Sequence, residues 1–353
     1  MARVRLNAAR RPAGRIAWVA VLAGALALAG CVGSSRLSPQ RKASQPAAAP
    51  ASVEPTYVAG PPPGAPLGGE TRIGSGPVKV ALILPMTGAG QVARERGRAV
   101  IGFSSDAGVA SQGIYLLSFL VQEEVDRIVS FAATQGRRSI AALIPETQYG
   151  RVAEARLQQA AARQGIRLVA LEHYPPGQPQ GAVQRMAPII GGAAPQADAL
   201  FVPDNGDGLP AVAQALQVAG FDPMRVKPLG TGVWNEPRVL GLPALQGGWF
   251  AAPDNRGFEA FAERYRARFN TDPIRLATLS YDAVTLAAAL ARMQGAQGFS
   301  EAMLTNPAGF AGADGVFRFN PDGTNNRSLT VQEIRGGAAV AISGAPRTLV
   351  AGN

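Results

Sequence analysis

The chain has 353 residues, of which 47% are hydrophobic, so it can bury the cores of two ordinary domains and is not disordered throughout. Its formal net charge is +10, but five arginines within the first 15 residues supply half of that excess. Elsewhere acidic and basic residues are interspersed singly, which argues against a continuous basic surface and against nucleic acid as a partner.

The N-terminus reads as a secretory signal. A basic stretch precedes an apolar run of 13 residues, 16–28, which is too short to span a bilayer, since a spanning helix needs about 20. The run ends in Leu28-Ala29-Gly30-Cys31, which resembles the lipobox of bacterial lipoproteins. This resemblance implies that residues 1–30 are removed and that Cys31 becomes a lipidated N-terminus. The alternative is an ordinary signal peptide with an incidental cysteine.

Two further expectations follow from this N-terminus. Cys31 is the only cysteine, so no disulfide can form within the chain. The next residue is Val32 rather than Asp, and by resemblance to enteric lipoproteins this favours the periplasmic side of the outer membrane over the inner membrane.

Residues 31–77 are rich in Ala, Pro, Ser and Gly and have no apolar periodicity. Such a composition buries too little apolar surface to fold, and its prolines keep it extended. The sequence therefore predicts a disordered tether between the lipid and the folded part.

From residue 78 onward, apolar runs of strand length alternate with longer helical patterns. Continuous apolar runs are typical of strands that are covered on both faces. The alternation predicts an α/β fold with a largely parallel sheet flanked by helices. Strands are predicted at residues 78–84, 99–103, 139–144, 167–171, 199–202 and 249–252, and helices at residues 121–134, 150–163, 209–219, 256–269 and 276–293.

Glycine and turn residues mark the ends of these elements. Gly136, Gly165 and Gly220 stand where a left-handed residue closes a helix. Residues 310–334 alternate apolar and polar side chains around Asn-Pro-Asp-Gly at 320–323, which predicts a closing β-hairpin.

Several stretches resemble type I periplasmic binding proteins of the leucine-binding class, in that family's order. They are VKVALILPMTGAG at 78–90, ALIPETQYG at 142–150, FEAFAERYRARF at 258–269 and LSYD at 279–282. The resemblance implies two lobes joined by three crossovers, with a ligand cleft between them. The first lobe is expected to hold residues 78–116 and 253–325, and the second residues 117–252 and 326–343.

Within that family, residues 99–120, AVIGFSSDAGVASQGIYLLSFL, resemble penicillin-binding protein activators. These are outer-membrane lipoproteins, and the resemblance implies a non-enzymatic protein that contacts a peptidoglycan synthase across the periplasm. A lipid anchor followed by a long tether fits that geometry. The alternative is the receptor of an amino-acid ABC transporter of the branched-chain type, whose partner is a small ligand.

The first lobe looks short. Only 11 residues, 88–98, separate the first two strand-like runs, whereas the family has about two βα units there. A parallel crossover needs a dozen or more residues, so this connection is marginal. Either the lobe is truly shortened or the sequence carries a deletion.

The chemistry of an enzyme is missing from the sequence. His173 is the only histidine, and no Gly-x-Ser-x-Gly, Gly-x-Gly-x-x-Gly or P-loop pattern occurs. The acids of Pro-Asp-Asn-Gly-Asp-Gly at 203–208 lack the later Glu of a calcium loop and are interpreted as solvated loop residues. We therefore expect no catalytic residue, no metal and no cofactor.

Ligands of α/β sheets bind beyond the carboxyl ends of the strands, and this rule selects the candidate cleft residues. Tyr149 can cover a ligand with its ring, and Gly150 opens a helix whose N-terminus attracts anions. The alternative is that Tyr149 packs on Pro145. The other candidates are hydroxyl, acidic and aromatic residues of the same loops, namely Thr87, Ser104, Ser105, Asp207, Thr231, Trp234 and Glu236.

Each of these other candidates also has an alternative role. Thr87, Ser104 and Ser105 offer hydroxyls to a carboxylate but could equally cap the next segment. In the family an acid for the ligand ammonium follows the strand that resembles residues 227–230, where this chain has Thr231. Asp207 or Glu236 could substitute from nearby, but the missing acid weakens the case for amino-acid binding. Trp234 is expected to pack between lobes rather than to stack on a ligand.

Overall fold

The computed structural model describes residues 99–346 and Leu349. The helices are α1 Val121–Thr134, α2 Gln148–Gln164, α3 Gln180–Ile190, α4 Leu209–Val218, α5 Pro237–Leu240, α6 Asn255–Phe269, α7 Ala277–Gln294 and α8 Glu301–Leu304. The strands are β1 Val100–Gly102, β2 Ile114–Leu116, β3 Ser139–Pro145, β4 Arg167–Tyr174, β5 Ala199–Phe201, β6 Lys227–Gly230, β7 Trp249–Ala252, β8 Phe310–Gly312, β9 Gly315–Phe319, β10 Asn325–Arg327, β11 Thr330–Arg335 and β12 Ala338–Ser343. Over this part of the chain, no helix combines the length and apolar character that crossing a membrane requires.

A seven-stranded sheet forms the larger part of the described molecule, in the order β12-β11-β7-β6-β5-β3-β4. The strands β3 to β7 run parallel, whereas β11 and β12 are antiparallel to their neighbours. The predicted α/β fold with a mostly parallel sheet is therefore confirmed. Strand order reverses at β3, between β4 and β5, and this is where α/β sheets open a crevice beyond their carboxyl ends.

Helices cover both faces of this sheet. On one face α1 and α2 bury Val125, Ile128 and Leu157, and on the other α3 and α4 bury Met186 and Val212. Every residue of β3 is buried as a result. This two-sided cover explains why the parallel strands read as continuous apolar runs instead of alternating ones.

Two smaller sheets hold the remaining strands. The strands β1 and β2 form a parallel pair, and β8, β9 and β10 form an antiparallel sheet. Phe319 pairs with Asn325, so the predicted hairpin around residues 320–323 is confirmed. Its Gly323 has a φ of +87°, and a Cβ there would lie 2.2 Å from the Ile114 carbonyl oxygen, so the turn requires glycine.

Three short segments, 117–120, 253–254 and 328–329, connect the large sheet with the small sheets, and we call them the crossing segments. They are tied together by side chains. Asn325 Nδ2 donates to the Ser118 carbonyl at 3.1 Å, and Gln332 Nε2 donates to the Pro253 carbonyl at 2.9 Å. Buried backbone carbonyls in these loops thus find partners without a sheet ladder.

Most predicted elements are confirmed within the described residues. Residues 121–134 and 249–252 have the predicted bounds, and Gly136, Gly165 and Gly220 all have positive φ. Helix α3 was not predicted, because Gly181 and Pro188 interrupt its pattern. The predicted signal, tether, first strand and short connection lie outside the described residues, and the lobe boundaries stay a prediction.

Candidate functional site

Two predicted residues meet at the carboxyl edge of the large sheet. Tyr149 lies in the first turn of α2, just beyond β3, and Thr231 directly follows β6. Thr147 caps α2 by accepting a hydrogen bond from the Gly150 N–H at 3.0 Å, and this sets the position of the first turn. The Tyr149 hydroxyl then lies 2.7 Å from Thr231 Oγ1.

Glu124 joins this pair from α1. It lies on the buried face of that helix with Val121, Val125 and Ile128, and its Oε2 accepts a hydrogen bond from the Gly232 N–H at 2.9 Å. Burial raises the pKa of the Glu124 carboxyl from 4.5 to about 7, although the hydrogen bonds from Gly232 and Tyr149 oppose the change. Burial and the nearby Glu124 carboxylate also raise the pKa of the Tyr149 hydroxyl.

A second tyrosine–carboxylate contact closes the neighbouring loop. The Tyr174 hydroxyl donates to Asp204 Oδ2 at 2.8 Å, and Asp204 Oδ1 accepts from the Asn205 N–H at 2.8 Å. Burial, followed by the Asp204 carboxylate, raises the pKa of Tyr174. The prediction that the acids of this loop are solvated is wrong for Asp204, which is buried because it satisfies these donors.

A small cavity lies beside Glu124 and between the crossing segments, and we call it the hinge cavity. Its volume is about 10 Å³, close to the space that one water molecule needs. Burial raises the pKa of Glu123, one of its acids. The hinge cavity is lined by Ser118, Phe119, Leu120, Glu123, Glu124, Asn325, Arg327 and Leu329.

Arg327 is the one cation among those lining residues, and its side chain is only 2% exposed. Its guanidinium lies between two rings, 4.9 Å from the centroid of Phe119 and 5.4 Å from that of Phe317. Its Nε donates to the Ser118 carbonyl at 3.2 Å. The nearest acid atom recorded for it is Asp282 Oδ2, at 3.9 Å from Nη2.

Asp282 and Arg327 are both buried, and burial shifts the pKa of each toward its neutral form. Burial raises the pKa of the Asp282 carboxyl to about 6, while a hydrogen bond from the Ala313 N–H and the charge of Arg327 lower it in part. A neighbouring pair, the half-buried Arg275 with the buried Asp314 at 2.7 Å, completes a cluster of two cations and two acids. This cluster connects α7 with β10 and the loop before β9.

Other predicted cleft residues do not join the site. Ser104 Oγ accepts a hydrogen bond from the Asp106 N–H at 3.1 Å, and Ser105 is exposed. The Gly150 N–H is already used by Thr147, so it is not free for an anion. Thr87 and Cys31 lie outside the described residues.

The two acids expected to replace the family's ammonium ligand lie on the surface. Arg238 holds both, with Nη1 at 2.7 Å from Asp207 and Nε at 2.8 Å from Glu236. Their side chains are 78% and 42% exposed, so neither is placed at the hinge cavity. Glu124, from a different element, is the acid that the structure places at the end of β6.

Trp234 has no exposed surface with which to contact a ligand or another lobe. Its side chain is fully buried, and its indole packs so closely on Gly230 that a Cβ added there would lie 2.1 Å from the ring. Its Nε1 donates to the Val202 carbonyl at 3.1 Å. The expected interlobe packing is therefore wrong, because the ring fills the core beside the large sheet.

Sequence reasoning missed Glu124 and Arg327. A signal existed for Glu124, because it falls on the apolar stripe of a helix whose bounds were predicted. Arg327 gave no such signal, since β10 is polar throughout and its buried face carries Asn325 and Arg327.

The part of the chain that the structure describes offers no metal site, and its larger depression is not polar. Within residues 99–346, no cluster of three His, Cys, Asp or Glu residues could hold a metal ion. His173 Nε2 lies 2.8 Å from the Glu154 carboxylate at the surface. A larger depression of about 230 Å³ has no charged side chain, and its walls are Phe103, Ile274, Leu276, Ala277, Leu279 and Ser280.

A family model and several solved structures match this chain. A family model described as periplasmic binding protein matches residues 78–339. Among curated proteins, none matches the chain.

Solved structures share the fold at low identity. A candidate branched-chain amino acid ABC transporter from Rhodospirillum rubrum is 18% identical, with a TM-score of 0.63 over 72% of this chain and 75% of that chain. A solute-binding protein of an ABC transporter from R. palustris, in complex with benzoate, is 16% identical, with a TM-score of 0.57 over 74% of each chain. A leucine-binding protein from Thermotoga maritima is 14% identical, with a TM-score of 0.56 over 73% and 76%.

Proposed function

Because the chain belongs to the periplasmic binding protein family, we propose that it is the non-enzymatic solute-binding component of an ABC transporter and that it binds a small organic ligand at the hinge cavity. The position of that cavity carries the proposal. It lies between two of the crossing segments, 117–120 and 328–329, and beside Glu124, which is hydrogen-bonded to the loop after the parallel strand β6. Binding proteins with parallel sheets place their ligands beyond the carboxyl ends of the strands.

The ligands of similar structures indicate what to test first. The structure from R. palustris holds benzoate, and the one from Thermotoga maritima is a leucine-binding protein. Both ligands are small carboxylates with an apolar body. We propose the same size class for this chain.

Contact with a peptidoglycan synthase is the second candidate function. It is favoured by the activator-like residues 99–120 together with the Leu-Ala-Gly-Cys motif and the Pro/Ala tether. None of the structures named above is such an activator, and the tether lies outside the described residues. The ligand-binding function therefore comes first.

We also propose that the protein faces the periplasm from a lipid anchor at Cys31. An anchor on the outer rather than the inner membrane fits the second candidate function, because an ABC importer lies in the inner membrane. The lipobox-like motif and Val32 support this location. In cells fed a radiolabelled fatty acid, the wild-type chain should become labelled; fractionation with outer membranes would support the second candidate function, and fractionation with inner membranes the first. A Cys31→Ser variant should lose the label, and a labelled variant would refute the assignment.

Thermal melting of the purified full chain tests the proposed function. Leucine, isoleucine, benzoate and 4-hydroxybenzoate are each added up to millimolar concentration. A ligand at 100 times its dissociation constant stabilises the native state by about 2.7 kcal/mol, which raises the melting temperature visibly. A melt that none of them shifts would refute this ligand class, and binding to an immobilised peptidoglycan synthase would then support the second candidate.

A further inference from the structure

We infer that Arg327 recognises the carboxylate of a monocarboxylate ligand at the hinge cavity. This inference rests on the proposed function and names the group that confers specificity. Two observations carry it. The Arg327 guanidinium has buried donors without a hydrogen-bond partner, and the cavity is lined by one cation and two acids.

The Arg327 guanidinium has unused donors. Both Nη atoms are buried and have no hydrogen-bond partner among the described residues. Asp282 approaches Nη2 only to 3.9 Å, which is longer than a hydrogen bond. The Phe119 and Phe317 rings lie against the guanidinium, but they provide no oxygen that could accept a hydrogen bond from its Nη atoms. Buried donors without partners are costly, so these atoms favour an incoming acceptor.

An anionic oxygen is the acceptor that fits best. Hydrogen bonds from a guanidinium to a carboxylate are charge-assisted and stronger than bonds to neutral oxygen. The cavity has room for about one water-sized group, so it takes a carboxylate oxygen while the body of the ligand stays outside. Arg327 is fixed in place because Nε donates to the Ser118 carbonyl in a crossing segment.

The charges that line the cavity restrict the ligand to a single carboxylate, because Arg327 is the one cation among them. Glu124 already accepts hydrogen bonds from Gly232 and Tyr149, so it is not an open site for a ligand donor. Glu123 also lines the cavity. A second carboxylate on the ligand would find no second cation among the lining residues, and burying an unpaired charge is costly, so dicarboxylates should bind poorly.

Calorimetric titration of the full chain with matched pairs of compounds tests this inference. The pairs are leucine with leucinamide and benzoate with benzamide. We expect each carboxylate to bind at least about tenfold more tightly than its amide, because a hydrogen bond to a charged group contributes that much. Equal affinity within both pairs would overturn the inference while leaving the proposed function in place. Failure of all four compounds to bind would overturn both.

Variants test the residue itself. Arg327→Gln should weaken carboxylate binding at least about tenfold and amide binding much less, because the bond to a neutral amide oxygen is weaker. Arg327→Lys should be intermediate, because it keeps the charge but not the planar guanidinium with its paired donors. Arg275→Lys is the matched control, since Arg275 belongs to the same buried cluster but does not line the cavity. Carboxylate affinity that is unchanged in Arg327→Lys and Arg327→Gln would refute the assignment. If neither variant folds, the comparison of carboxylates with amides on the wild-type chain decides.

Discussion

The Glu124 carboxylate accepts a hydrogen bond from the Gly232 amide at 2.9 Å, across 108 positions of sequence. The contact joins the first turn of α1 to the loop after β6. It also places a fully enclosed acid at the wall of the hinge cavity, with a pKa of about 7 instead of 4.5. An acid in this state makes the stability of the fold depend on pH.

The stability should fall as the pH rises from about 4.5 to about 7. In this range Glu124 of the unfolded chain has lost its proton while the native state still binds it, so the free energy of unfolding decreases with pH. The total loss from this group is about 3 kcal/mol, and it is complete above the native pKa. Glu124→Gln should remove most of this slope in urea unfolding measured at pH 5, 6, 7 and 8.

Two comparisons make the pH prediction specific. Glu263→Gln changes an exposed glutamate and should keep the wild-type slope. Some slope should remain even in Glu124→Gln, because burial raises the pKa of Asp282 to about 6 and acts in the same direction. Parallel curves for the wild type and Glu124→Gln would show that Glu124 is not the titrating group.

The Tyr149 hydroxyl should be energetically coupled to Thr231. Tyr149→Phe and Thr231→Val each remove one partner of a 2.7 Å hydrogen bond, so each should destabilise the fold by about 1–2 kcal/mol. The double variant should cost less than the two single variants together, by about 0.5–2 kcal/mol, because its second substitution removes a partner that is already lost. Denaturant unfolding of the four proteins measures this difference, and strict additivity would contradict the bond.

Gly230 should not tolerate a side chain. A Cβ at this position would lie 2.1 Å from the buried indole of Trp234, which has no room to move. Gly230→Ala should therefore cost about 1–3 kcal/mol or more through overpacking. Gly241→Ala is the control, since the nearest atom to its Cβ is 3.8 Å away. Equal denaturation midpoints for the two variants would contradict the packing.

Periodicity predicts the fold well because its signals are local. Residues 121–134 carry buried side chains at helical spacing, and β3 is a continuous apolar run, so both could be identified without tertiary information. Helix α3 was not predicted, because its helix-breaking residues Gly181 and Pro188 disrupt the pattern. Packing of Val183 and Met186 against the sheet compensates for them in the fold. Tertiary contacts override propensity there.

The site is less predictable because it depends on pairings between distant elements. Tyr149 and Thr231 were chosen as strand-end residues, and the structure brings them together, since the strand order puts the two ends near one another. Asp207 and Glu236 satisfy the same rule, yet Arg238 holds them at the surface. Nothing in the sequence indicates that Glu124 meets the loop after β6, because its partner Gly232 becomes a neighbour only in the folded sheet.

Asp314 should be among the most sensitive acids of the described chain. Its side chain is fully buried, and it pairs with Arg275 at 2.7 Å and accepts a hydrogen bond from the Thr278 hydroxyl. Asp314→Asn removes the charged partner of Arg275, whose side chain is 26% exposed, and should cost about 1–3 kcal/mol.

The matched surface variant is Asp272→Asn, which removes a partner of Arg266 whose side chain is 79% exposed, and it should cost about 1 kcal/mol or less. Asp314 is fully buried and Arg275 is 26% exposed, so the deficit of Asp314→Asn in urea unfolding should change less between 0.05 M and 0.5 M NaCl than that of Asp272→Asn. Comparable costs for the two variants would mean that Arg275 finds another acid or reaches water when Asp314 is neutralised.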